Sequence, residues 1–192
     1  DDEKQDIFET FKKDLNTVSP NIHLDVPSSL IINNTPIMFA KGMGIFNGFG
    51  QSDFMWKLRL NENIQSIFKS VHNTNDICVS LDGFSLFVSS KQKSKPWMHV
   101  DQNSKNPIYS IQGAYNFKPV NKDDAGFILV PGSHTSVTET THNKDWIVFD
   151  NQEIYLNKNF KLIIPENCFI LWNSKLIHSN TELNVKKNEF NR

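Results

Sequence analysis

The chain has 192 residues, with 20 basic and 21 acidic side chains and a formal net charge of -1. That length suits a single domain with a real core, and the balanced charge argues against a chain built around nucleic acid or an anionic membrane surface. No apolar run approaches a membrane span and no signal peptide opens the sequence, so a soluble cytoplasmic protein is expected, its first residue, Asp1, leaving room for a trimmed leader.

Taken in order, the first predicted element is an amphipathic helix between Asp6 and Leu15, where Ile7, Phe8, Phe11 and Leu15 recur near helical spacing. Residues Ser19 to Phe49, rich in Pro, Asn and Gly, read as an irregular arm with short strands. A second helix fits Asn61 to Val71. Ile64, Ile67, Phe68 and Val71 form its stripe, and Asn61 is its N-cap.

From Asp76 onward the pattern turns to β. Apolar and β-branched runs cover Ile77–Leu81, Phe84–Val88, Trp97–Asp101, Tyr109–Phe117, Phe127–Val130, Trp146–Phe149, Phe160–Ile164, Phe169–Trp172 and Leu176–Ser179. Turn residues such as Asp82-Gly83 and Pro131-Gly132-Ser133 separate them. Short strands at this spacing predict a sandwich or barrel. The expectation is one domain, mainly β with flanking helices: a helical and irregular lead-in over 1–75 and a β core over 76–192. Cys78 and Cys168, each in an apolar stretch, read as buried free thiols rather than a disulfide framework.

The run Tyr109–Phe117 has two unlike faces. Tyr109, Ile111, Gly113, Tyr115 and Phe117 alternate with Ser110, Gln112, Ala114 and Asn116. An apolar face packed on helices and a small polar face lining a cavity would produce this alternation; a solvent-exposed polar face would produce it too.

The segment Trp97-Met98-His99-Val100-Asp101 carries the chemistry. In a strand, residues two apart share a face, so His99 and Asp101 would project together as neighbouring metal ligands. His178, far downstream, is the third candidate. Two histidines and a carboxylate with open coordination positions form the facial triad of non-haem Fe(II) oxygenases.

With Ala125-Gly126-Phe127-Ile128-Leu129-Val130-Pro131-Gly132-Ser133-His134 between the candidate ligands, the order His99-x-Asp101 to His178 resembles the phytanoyl-CoA dioxygenase-like Fe(II)/2-oxoglutarate oxygenases. The upstream stretches Phe54-x-Trp56-x-x-Arg59, Asn73–Ile77 and Ser80–Gly83 resemble that family's lead-in, and the likeness covers roughly residues 40 to 192. The resemblance implies a double-stranded β-helix of jelly-roll or cupin-like form. It also implies Fe(II) held by His99, Asp101 and His178, with 2-oxoglutarate as cosubstrate and O2 as oxidant. The reaction it implies is hydroxylation of a small molecule or modified group, with release of succinate and CO2. Asp101 separates this chain from the related halogenases, which keep a small residue at that place.

For the far carboxylate of 2-oxoglutarate the family uses an Arg about ten residues after the distal His, because a guanidinium pairs with it bidentately. Here Arg192 is the candidate, further along than the family pattern, and Lys187 is the runner-up at closer spacing. Asn180 stands where the family often has Ser, and Gln112 would face the cosubstrate or the substrate. A last strand is expected to continue beyond Arg192. His134 would shape a turn, Gln102 would point away from the ligands, and Trp97, Trp172 and Phe169 would be core aromatics. The alternative is a cupin-like metal- or sugar-binding module without oxygenase activity. Substrate identity and oligomeric state are not legible.

Overall fold

The computed structural model describes residues 2–39, 42–88, 97–136 and 144–181. They form helices and antiparallel sheets in two compact units, one holding the described residues through 88 and the other those from 97 onward. Among the described residues, no helix is long and apolar enough to cross a membrane.

In the first unit, helix α1 (Asp2–Val18) carries Ile7, Phe11 and Leu15 at four-residue intervals, which places them on one buried face. It runs further in both directions than the apolar spacing predicts. Asp2 and Glu3 in its first turn complement the helix dipole. The irregular arm follows, with 3-10 turns at Pro27–Ser29 and Ile32–Asn34 before strand β1 (Met43–Gly44).

Helix α2 (Asp53–Leu60) has no apolar stripe to announce it. It begins where the Ser52 side chain accepts from Met55 N and the Asp14 carboxylate accepts from Phe54 N at 2.7 Å. Both are first-turn N–H groups that lack helical partners. Helix α3 (Glu62–His72) is capped by Asn61 through the N–H groups of Asn63 and Ile64, and it ends at Asn73 in the left-handed conformation (φ 51). Both ends agree with the sequence reading.

Phe11, Phe49, Phe54 and Phe84 pack ring to ring with centroids 4.3 to 6.2 Å apart. Phe84 opens strand β2 (Phe84–Ser85), antiparallel to β1. The two strands close so tightly that a Cβ on Gly83 would lie 1.9 Å from the Gly44 oxygen, so only glycine fits there. Ile77–Leu81, expected as a strand, joins no sheet among the described residues. Val79 and Leu81 are more than half exposed for want of anything to pack under. The buried-thiol reading is corrected with it: Cys78 is exposed and Cys168 only half-buried.

The second unit contains β3 (His99–Val100), β4 (Ile111–Asn116), β5 (Gly126–Leu129), β6 (Ile147–Val148), β7 (Phe160–Lys161), β8 (Cys168–Asn173) and β9 (His178–Thr181), with short helices α4 (Ser133–Ser136) and α5 (Gln152–Leu156). Five strands make one antiparallel sheet in the order β6-β3-β9-β5-β7, while β4 and β8 form a separate ladder. Each was expected at its place, though most are shorter than their apolar runs.

Alternation along the strands decides what each face holds. Met98, Val100, Ile128, Val130 and Ile177 form a buried cluster, with Ile147, Phe149, Tyr155 and Leu156 packed against it. The residues between them, His99, Asp101, Phe127 and His178, are left for the opposite face. Of the two faces of β4, the polar one turns inward. Asn116 is 1% exposed and the Gln112 amide helps lower the Asp101 pKa, while Tyr109, just before β4 on the apolar side, is 58% exposed.

Candidate metal centre

His99 and His178 are direct partners across β3 and β9, with ring centroids 4.4 Å apart. One ligand atom from each of His99, Asp101 and His178 lies within 4.8 Å of the others. His99 Nε2 stands 3.5 Å from Asp101 Oδ1, and His178 Nε2 stands 3.2 Å from Asp101 Oδ2. Donor atoms each about 2.1 Å from one ion stand roughly 3.0 to 3.4 Å apart at right-angle or tetrahedral geometry. The two histidine-to-carboxylate spacings come close to these values, and a modest closing of the three-atom set would bring it onto one ion.

Two matching hydrogen bonds aim the rings. His99 Nδ1 lies 2.9 Å from Trp97 O, and His178 Nδ1 lies 2.8 Å from Leu176 O. A carbonyl oxygen only accepts, so Nδ1 carries a proton in both rings and Nε2 is turned toward Asp101. Burial first, and then the neighbouring His178, lowers the His99 pKa from 6.5 to about 4, against the opposing effects of Asp101 and the Trp97 carbonyl. His99 is thus neutral near pH 7, and its Nε2 lone pair faces a carboxylate oxygen. Two electron-rich atoms directed at each other in a buried site call for a cation between them.

Asp101 completes the set as an anion. Burial pushes its pKa up. The hydrogen bond and charge of His178 more than offset this, with help from His99 and the Gln112 amide, and hold it below its ordinary value. A neutral imidazole, a second imidazole and an ionised carboxylate are the donor set a divalent transition metal takes. Their geometry and chemistry fit the ion.

Aromatic rings and backbone groups hold these ligands in place. The Trp97 indole stacks on His99 at 4.5 Å and 19°, and its N–H donates to Asn180 O on β9 at 3.3 Å. Phe127 stacks on His178 at 5.1 Å and 26°. Ser174 O accepts from both Asp101 N and Gln102 N, at 3.0 and 3.1 Å. The buried Ser133 hydroxyl accepts from Ile177 N at 2.8 Å, fixing the residue before His178. Trp146 N donates to Asp101 O at 3.2 Å. It does so from φ 54, a left-handed conformation that bulky residues rarely adopt and that recurs at functional sites.

The three expected ligands are together. Gln112 touches one of them, and Asn180 lies two residues beyond His178 on β9, directly opposite Phe127. Gln102 points away, as expected, donating to Ile108 O at 2.8 Å, and His134 is exposed. Arg192 and Lys187 lie outside the described residues. Sequence reasoning missed the supporting roles of Trp97, Phe127, Ser133 and Ser174. Trp97 had a usable signal, since it shares a strand face with His99 two residues on, whereas Phe127 meets His178 only through the pairing of β5 with β9.

No family model, curated protein or solved structure matches this chain. The site's own geometry carries the functional reading.

Proposed function

We propose that this chain is an Fe(II)- and 2-oxoglutarate-dependent dioxygenase that hydroxylates a small molecule or modified group and releases succinate and CO2. The observation that carries this is the convergence of two Nδ1-anchored imidazoles and one carboxylate, their other ligand atoms within 4.8 Å of one another. Such a set leaves part of an octahedron open. The strand order β6-β3-β9-β5-β7 with β4-β8 as a second ladder supports a jelly-roll, double-stranded β-helix reading of this unit.

His99, Asp101 and His178 are the residues that would hold Fe(II). When bound, that ion would supply open positions for a 2-oxo acid and O2, the four electrons that reduce O2 coming two from the decarboxylated 2-oxo acid and two from the hydroxylated substrate. The chain's own part is orientation and exclusion of water. The Trp97 and Leu176 carbonyls fix the imidazole tautomers, and Asp101 offsets part of the metal charge. The rings of Trp97 and Phe127 cover the imidazole faces. Arg192, or Lys187 in its place, is proposed for the far carboxylate of 2-oxoglutarate, with Asn180 as a neutral contact and Gln112 facing the substrate.

The test is anaerobic mixing of the protein with Fe(II) and 2-oxoglutarate, which should raise a visible metal-to-ligand band, followed by succinate formation on admitting O2. His99→Ala and Asp101→Ala should each abolish both signals. Unchanged turnover in the two variants would reject the assignment. A bound metal with no 2-oxoglutarate affinity would favour the cupin-like metal- or sugar-binding module instead.

A further inference from the structure

Among the described residues, four buried side-chain polar atoms have no hydrogen-bond partner: Asn16 Oδ1, Gln112 Oε1, Asn116 Oδ1 and Trp172 Nε1. Three of the four belong to the β4-β8 ladder. Gln112 and Trp172 are direct partners across it, and cross-strand partners project from the same face. Asn116, four residues along β4, lies on that face too, roughly 13 Å further on at strand rise. Leaving a buried donor or acceptor unpaired costs about 1 to 3 kcal/mol for each group, and native proteins hold few. A concentration of them on one face of one ladder asks for an occupant.

The place is beside the metal centre. The Trp172 ring lies 5.5 Å from that of His178 and 4.8 Å from that of Phe127. Gln112 acts on the Asp101 carboxyl as a donor and helps hold its pKa down. A carboxylate only accepts, so it is the Gln112 amide nitrogen that faces Asp101, and its oxygen is the atom left over. Trp172 Nε1 is donor only. The pair thus offers one donor and one acceptor, side by side and dry, while solvent reaches the remaining atoms of both half-exposed side chains.

We propose that Gln112 Oε1 and Trp172 Nε1 form a two-point polar subsite that binds a neutral hydroxyl or primary carboxamide of the substrate next to the metal centre. A hydroxyl or amide satisfies both atoms, giving a proton to Gln112 and accepting one from Trp172. A bare carboxylate satisfies only Trp172, and it meets Gln112 Oε1 and the Asp101 charge as like to like. The subsite therefore selects against the acidic ends of 2-oxoglutarate and for an uncharged polar group. The assignment of that group to a substrate rests on the dioxygenase reading; the subsite itself does not need the metal.

The experiment is NMR of the indole N–H signals of the full chain, which has four Trp, with Trp172→Phe identifying the resonance of interest. Acetamide and ethylene glycol are titrated as neutral probes, and acetate and 2-oxoglutarate as acceptor-only probes, with Zn(II) binding measured separately. Acetamide should move the Trp172 signal saturably, Gln112→Met should weaken that response about tenfold, the worth of one good hydrogen bond, and acetate should act far more weakly. A Trp172 signal that follows acetate or 2-oxoglutarate at lower concentration than acetamide overturns the proposal. So does silence toward both neutral probes in protein that binds Zn(II). A response to acetamide in protein that binds no metal would sink the dioxygenase reading while leaving the subsite standing.

Discussion

Two clusters of aromatic rings serve this chain in opposite ways. Phe11, Phe49, Phe54 and Phe84 in the first unit face one another and make a hydrocarbon core. Trp97, Phe127 and Trp172 in the second unit face imidazoles, and what they order is a set of charged and polar ligands. The residue types barely differ. What differs is the neighbour: Trp97 meets an imidazole two positions along the chain, and Phe127 and Trp172 meet one on another strand, so the same aromatic payload packs hydrocarbon in one place and orders polar groups in the other.

The sharpest way to break that comparison is to cut each cluster once. Asp101→Ala should cost at least a hundredfold in Fe(II) or Zn(II) affinity per folded molecule, read by calorimetry. Phe11→Ala should show the reverse, losing about 3 to 5 kcal/mol in denaturant unfolding for a large core deletion while the folded fraction keeps its metal affinity. If Phe11→Ala also weakened metal binding per folded molecule, the two clusters would not be separate in role.

A pH series comes next in size. The His99 pKa is depressed in the folded state, from 6.5 to about 4, so the unfolded chain binds the proton more readily over that interval. The metal-free protein should hold its full stability above about pH 6.5 and lose on the order of 3 kcal/mol as pH falls toward 4. His99→Gln should flatten that part of the curve. A slope unchanged in the variant would assign the acid lability to another group.

The smallest expected effect tests the ring that joins the two kinds of role. Trp97→Leu keeps an apolar side chain but removes both the stack on His99 and the N–H bond to Asn180 O. It should weaken metal binding by about ten- to a hundredfold, the usual cost of losing an outer support of a ligand. An affinity equal to wild type would make Trp97 a core residue and nothing more.

These contrasts explain what could be seen in advance. The nearness of His99 to Asp101 was legible because a two-residue spacing along extended chain is geometry that a sequence carries directly. Asn61 was legible because a cap acts on its own next turn. Alternation divided β4 into a polar and an apolar face, but left open which of them turns inward. Helix α2 escaped because its start depends on Asp14, some forty residues earlier, and its own apolar spacing is poor. Ile77–Leu81 looked like a strand because β composition says nothing about whether a partner strand arrives. Phe127 was hidden for the same reason, since its stack on His178 exists only once β5 and β9 have found their register.

That register has a consequence for how the second unit assembles. His178 opposes His99, and a slip of β9 by one residue would put Ile177 where an imidazole belongs and turn His178 into the greasy interior. An ion held between them would therefore work as a proofreading stitch on strands made far apart in the chain. It would reward one alignment and leave the shifted one unfastened, so refolding with metal present should yield a more uniform product than refolding without it.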